Sequence, residues 1–236
     1  MKKQSFPFPM LKMEKIFGWL YLPIHIFVLP FAVSYFCVLF APSLGFKIDD
    51  AHINLIYYVI SFTFVLIFMF RYLRATFGDL CDNFWTSVKT LILGYVFYYI
   101  LAFAVSIILT IFISQPTNPN TADIVSSTKL NVNVMTVVAV LLGPVVEEAL
   151  FRGVVFGNIR QKNRVAAYIV STLVFAIYHL WQYLLFSPDW TILLYLLQYI
   201  PASVALAWSY ENSKNLWVPI FIHMLINFVA LSVSLA

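Results

Sequence analysis

SVKTLILGYVFYYILAFAVSIILTIFI, residues 87–113, carries a single charged side chain, Lys89 near its start, and is otherwise apolar, aromatic or hydroxylic apart from one glycine. A helix needs roughly 20 predominantly apolar residues to cross the hydrocarbon core of a bilayer, and this run is longer than that. Working outward, comparable runs occupy residues 16–40, 53–70, 134–156, 165–186, 191–210 and 216–236. They are continuous rather than alternating over about 10 residues, which selects helices over a transmembrane β-barrel. Composition agrees. The chain is 62% apolar and 10% charged, whereas soluble domains average about 45–50% and 25%. The expected fold is all-α, a polytopic transmembrane helical bundle of about seven spanning helices embedded in a lipid bilayer.

Cation placement tests that count independently. Lys2, Lys3, Lys12 and Lys15 precede the first run, Arg71, Arg74 and Lys89 follow the second, Arg160, Lys162 and Arg164 follow the fourth, and Lys214 follows the sixth. The alternate connections hold only Lys47 and Lys129. With Arg152 set aside as intramembrane, the positive-inside rule puts the N-terminus in the cytoplasm and the C-terminus outside. An error of one helix before Arg160 would destroy the alternation. The net charge of +4 is accounted for by these flanking cations, so no nucleic-acid partner is implied. Cys37 and Cys81 fall on opposite sides of the membrane and are not expected to pair. The first run is long and lacks a small-residue cleavage site, which reads as a signal anchor rather than a cleaved signal peptide.

Two connections stand out. Residues 114–133 (SQPTNPNTADIVSSTKLNVN) are rich in Asn, Thr, Ser and Pro and read as an exposed extracytoplasmic connection. Residues 71–89 mix Phe77, Leu80, Phe84 and Trp85 with Asp79, Asp82 and basic groups, which fits either an interfacial amphipathic helix or a plain loop with aromatic anchors. Polar side chains divide the chain unevenly. The first three runs hold few polar side chains, chiefly His25, hydroxyls and Lys89. We therefore divide one membrane domain into a packing part, residues 1–130, and a functional part, residues 131–236.

The functional part contains GPVVEEALFRG, Gly143 to Gly153. A carboxylate or guanidinium at the centre of a spanning helix costs roughly 2.5–3.5 kcal/mol on the insertion scale and marks a functional position by default. Glu148 and Arg152, four apart, share a face and can pair. Glu147 points about 100° away, so neutralisation of Glu148 by Arg152 leaves it without a role. Pro144 disturbs the helix just before the pair. Gly153 and Gly157 form a small-xxx-small step for a close neighbour. Phe175 and His179 share a face of the next run, as do His223 and Asn227 of the last. His25, with no polar company nearby in sequence, reads as structural. At 1.5 Å per residue, Glu147 lies roughly 13 Å, His223 roughly 10 Å and His179 roughly 20 Å from the cytoplasmic ends of their helices, so one cavity can hold all three. Such a set suits hydrolysis: a buried carboxylate as base, imidazoles orienting water, and an imidazole or amide facing an oxyanion. A divalent metal activating the water is the alternative.

These three motifs, E-E-x-x-x-R (Glu147, Glu148, Arg152), F-x-x-x-H (Phe175, His179) and H-x-x-x-N (His223, Asn227), resemble those of the CAAX protease and bacteriocin-processing family, also called Abi. Their order and spacing agree over roughly the last hundred residues. The resemblance implies an intramembrane endopeptidase in a bacterial plasma membrane, acting on a membrane-associated peptide or protein. It implies Glu147 as general base and His179 as the group positioning water. His223 and Asn227 would complete the site and stabilise the oxyanion. Glu148, Arg152 and Phe175 would support the geometry or touch substrate. Members are often labelled metalloproteases, and a divalent metal such as zinc would fall to Glu147, His179 and His223. Two other readings use the same residues: a non-proteolytic scaffold or bacteriocin-immunity protein on the same fold, and a proton or metal-ion transporter. The apolar first half argues against the transporter, since transporters often show internal repeats and broken helices in both halves. The chain has no H-E-x-x-H, G-x-S-G or G-x-G-D signature of other intramembrane proteases.

Overall fold

A computed structural model describes residues 10–45, 47–113 and 118–235. Lys2, Lys3, residues 114–117 of the polar connection and Ala236 at the end of the last predicted run lie outside the described residues. Among them the fold is all-helical: α1 Lys12–Phe40, α2 Asp50–Asp82, α3 Phe84–Phe112, α4 Pro119–Leu130, α5 Val132–Arg160, α6 Arg164–Phe186, α7 Trp190–Ser213 and α8 Trp217–Leu235. All but α4 are long and apolar enough to cross a membrane. Seven such helices in this order give a polytopic bundle, and the protein is an integral membrane protein.

Starts and stops follow local chemistry. Asp49, Asn118, Asn131, Asn163 and Asp189 each accept a hydrogen bond from a backbone N–H two or three residues on, capping α2, α4, α5, α6 and α7 and satisfying donors that a helix start leaves unpaired. The end of α7 is closed by Lys214 at φ 57°, a left-handed C-terminal turn. Asn215 then fixes the tight α7–α8 corner. Its Oδ1 accepts from Trp217 N at 2.8 Å, while its Nδ2 donates to the Thr76 carbonyl of α2.

The centre is α5. Residues 143–157 are buried on every side, and 61% of its apolar window is buried against 6% for α3. Phe151, Val154, Val155 and Phe156 are at 0% exposure, as expected of a helix enclosed on every side in the middle of a bundle. Helices α1, α2, α6 and α8 surround it, with α7 bridging to the peripheral α3. Two π-helical stretches widen α5, at Val137–Leu142 and Ala149–Phe156. The first ends where Pro144 cannot donate, so the expected disturbance takes the form of a wide turn. Gly153 and Gly157 admit tyrosine side chains rather than a helix backbone. Tyr72 of α2 lies against Gly153 and Tyr210 of α7 against Gly157, and the two hydroxyls meet at 2.6 Å.

Both singled-out connections turn out helical. The 114–133 segment, read as an exposed connection, contains α4. Its Asn118 and Asn120 bond the Tyr199 hydroxyl of α7, and Ser127 and Thr128 are buried. Asn118 and Pro119 supply the N-cap and first position of this helix. Residues 71–82 are neither a loop nor a separate interfacial helix but the continuation of α2, broken from α3 at Asn83 alone. A close approach by α1 sets its position on α5: a Cβ at Gly18 would stand 2.4 Å from Val154 Cγ2. The substitution Gly18→Val is expected to cost about 1–3 kcal/mol through overpacking, read as a lower thermal unfolding midpoint in detergent.

Candidate active site

Glu147 projects from α5 between α2, α6 and α8. Its carboxylate oxygens have different surroundings. Oε1 accepts from the Tyr58 hydroxyl of α2 at 2.8 Å. Oε2 is buried without a hydrogen-bond partner, 3.8 Å from His179 Nε2 and 3.9 Å from His223 Nε2. Those separations are beyond a direct hydrogen bond.

The imidazoles are fixed from their far sides. His179 Nδ1 lies 2.8 Å from the Phe175 carbonyl one turn back. A carbonyl only accepts, so Nδ1 carries the proton and Nε2 presents a lone pair in the neutral ring. His223 Nδ1 lies 2.8 Å from Glu148 Oε1, which likewise makes Nδ1 the donor and turns Nε2 towards Glu147. Tyr199 of α7 stacks on His179 with ring centroids 4.4 Å apart.

Behind this set, Glu148 Oε2 and Arg152 Nε approach to 3.1 Å, both side chains fully buried. Arg152 Nη2 donates to the Ser203 carbonyl at 3.3 Å, and the Phe175 ring covers the guanidinium at 4.4 Å. Phe175 thus screens the buried cation with its ring and orients His179 with its carbonyl. The two glutamates diverge as the helical offset predicts: Glu148 serves Arg152 and His223, and Glu147 is left to the imidazoles. The structure brings together Glu147, Glu148, Arg152, Phe175, His179 and His223. Asn227 is placed differently. Its Nδ2 donates to the Ala139 carbonyl at 2.8 Å, tying α8 to the first wide turn of α5.

An apolar cavity of about 590 Å³ opens beside the site between α2, α5 and α8, lined by Phe62, Leu66, Leu142, Val145 and Met224 among others, with Arg74 its one charged residue. Phe62 is one turn from Tyr58, Val145 two residues from Glu147 and Met224 adjacent to His223, while Glu147, His179 and His223 themselves are not among the residues that line it. The sequence reading missed Tyr58 and Tyr199 because a tyrosine in an aromatic-rich chain reads as interfacial anchoring. Among the described residues no three His, Cys, Asp and Glu side chains are disposed as a metal-binding group.

Residues 129–229 match the model of the family described as Type II CAAX prenyl endopeptidase Rce1-like, less than half of the chain but the whole of the motif-bearing region. The chain is 33% identical to the "Membrane-embedded CAAX protease MroQ" of Staphylococcus aureus over 144 residues, 58% of this chain and 53% of that protein. It is 34% identical to the "Putative membrane peptidase YdiL" of Bacillus subtilis over 97 residues, 41% of this chain and 35% of that protein. The chain thus spans about half, or less, of the length of these curated relatives. No solved structure matches it. The resemblance read from the three motifs is thereby shown.

The buried pair carries a stability prediction. Replacing Arg152 with Met leaves Glu148 charged in a dry interior, which should cost about 3–5 kcal/mol. Glu148→Gln/Arg152→Met together should recover part of that loss, both effects being read by thermal unfolding in detergent.

Proposed function

We propose that this protein is an intramembrane endopeptidase in which Glu147 activates water against a peptide bond of a membrane-associated peptide or protein. The observation that carries the reading is Glu147 Oε2, a buried acceptor without a partner, faced by two imidazole nitrogens at 3.8 and 3.9 Å. A water molecule between them donates one proton to Oε2 and the other to the lone pair of His179 Nε2, which aims an oxygen lone pair outward.

The chemistry then balances in two steps. Glu147 takes the proton from water while the oxygen bonds to the scissile carbonyl carbon. The C–N bond breaks as Glu147 returns that proton to the leaving nitrogen, giving a new carboxyl terminus and a new amino terminus. His223 is held differently. Its Nδ1–H donates to the Glu148 carboxylate, which fixes the ring with Nε2 turned towards the reacting water. Arg152 and Phe175 hold Glu148 and His179 in place, and Asn227 holds α8 against α5. Glu147, His179 and His223 are the set that the family resemblance gives to a divalent metal such as zinc; their disposition here is not that of a metal-binding group, and the steps above run through no metal.

The apolar cavity between α2, α5 and α8 suits a substrate segment that carries apolar side chains. The names of the relatives and of the matched family favour a peptidase over a scaffold or immunity protein. Comparative peptidomics on membranes of cells producing wild type or Glu147→Ala at matched levels tests the reading. Cleavage products present only with wild type, and lost again in His179→Ala, are the expected result. Identical peptide profiles would overturn it and leave a protein that acts by binding.

A further inference from the structure

Beyond the motif residues, a buried polar array runs from α1 to Glu147. His25 is at 0% exposure in α1. Its ring is stacked by Tyr57 of α2 and Tyr178 of α6, with centroids 5.0 and 5.4 Å away. Ser61 spends its proton on the Tyr57 carbonyl at 2.9 Å, so it accepts from His25 Nδ1 at 3.0 Å and from the Tyr21 hydroxyl at 3.0 Å. Tyr57 OH donates to the His25 carbonyl at 3.0 Å.

Each phenol has one proton, which gives the next links a direction. Tyr58 spends its own on Glu147 Oε1 at 2.8 Å, so at 3.0 Å from Tyr178 it accepts and Tyr178 donates. The order is therefore Tyr178 to Tyr58 to Glu147, with His25 and Tyr57 packed behind Tyr178. A chain in which every donor is committed strengthens its terminal bond and holds the carboxylate in one rotamer.

We propose that Tyr58 and Tyr178, seated on the His25–Tyr57 pair, are positioning residues that lock Glu147 with Oε1 occupied and Oε2 alone facing the imidazoles. This rests on the endopeptidase reading. A free carboxylate presents two equivalent oxygens and rotates about its last torsion; the Tyr58 bond breaks that symmetry and leaves one oxygen for water. Other groups face Glu147 without doing this: His179 of α6 and His223 of α8 flank Oε2, while Glu148 and Arg152 of α5 bind each other. The first half of the chain thus reaches the chemistry through α2 directly and through α1 at second hand.

The test uses full-length protein in phosphatidylcholine/phosphatidylglycerol vesicles and a synthetic peptide spanning one wild-type-specific cleavage site. Tyr58→Phe keeps the ring and removes the hydroxyl. It should lower kcat about 10- to 100-fold, the scale of a misplaced reacting group, with KM unchanged and a lower thermal midpoint, because Glu147 Oε1 loses its buried donor; Tyr178→Phe should give a smaller loss of kcat. Infrared spectra provide a readout independent of turnover. The carboxyl band assigned to Glu147 by its disappearance in Glu147→Gln should move in Tyr58→Phe. Wild-type kcat together with an unmoved band in Tyr58→Phe overturns the proposal. If Glu147→Gln cleaves as wild type does, the endopeptidase reading fails instead, and the band shift still decides whether Tyr58 fixes the carboxylate.

Discussion

Two carboxylates and a guanidinium within six residues at the centre of a membrane bundle impose the constraint on which the rest of this structure depends. Each alone is costly in a bilayer, and a charge left unpartnered in a dry interior is more costly still. The Glu148–Arg152 pair answers part of it. Arg152 is closed in by Phe175 and the Ser203 carbonyl, and Glu148 is shared with His223. Helix α5 must then be enclosed on all sides, which explains why its neighbours are packed around it while α3 remains largely lipid-facing. Glu147 is the residue this arrangement leaves over, held by Tyr58 and turned towards two imidazoles.

The division of labour between the glutamates was legible in sequence because it follows from helical offset alone: i and i+4 pair, i and i+1 diverge. Span number and order were legible from hydropathy and cation alternation. The placement of His179 and His223 around one carboxylate was legible from depth. What was not legible has a common physical cause. Tyr58, Tyr178 and Tyr57 are phenols in apolar runs; a hydroxyl adds little to the insertion cost of a span, so nothing in hydropathy separates a tyrosine on a carboxylate from one at a lipid interface. His25 looked solitary because its partners, Ser61 and Tyr57, stand on a different helix. Asn227 kept the expected spacing from His223, yet its amide serves the Ala139 carbonyl beside the wide turn of α5, a demand that arises only once the helix is distorted. The 114–133 segment was read by composition, and composition does not reveal that Asn118-Pro119 caps a helix docked on Tyr199.

The geometry also separates two imidazoles that look alike in sequence. His179 hydrogen-bonds a carbonyl and stacks on Tyr199, which leaves Nε2 as a hydrogen-bond acceptor. His223 hydrogen-bonds the Glu148 carboxylate, which ties its ring to the buried ion pair of α5. Their Nε2 atoms share one focus, Glu147 Oε2, at 3.8 and 3.9 Å.

The central claim is that water activated by Glu147 becomes part of the product. Purified protein in vesicles prepared in oxygen-18 water, given a synthetic peptide that spans a cleavage site, tests it most directly by mass spectrometry of the released fragments. The account predicts one heavy oxygen in the new carboxyl terminus of the N-terminal fragment with wild type, and no fragment with Glu147→Gln. Fragments of equal yield from both proteins, or fragments free of heavy oxygen, would contradict it.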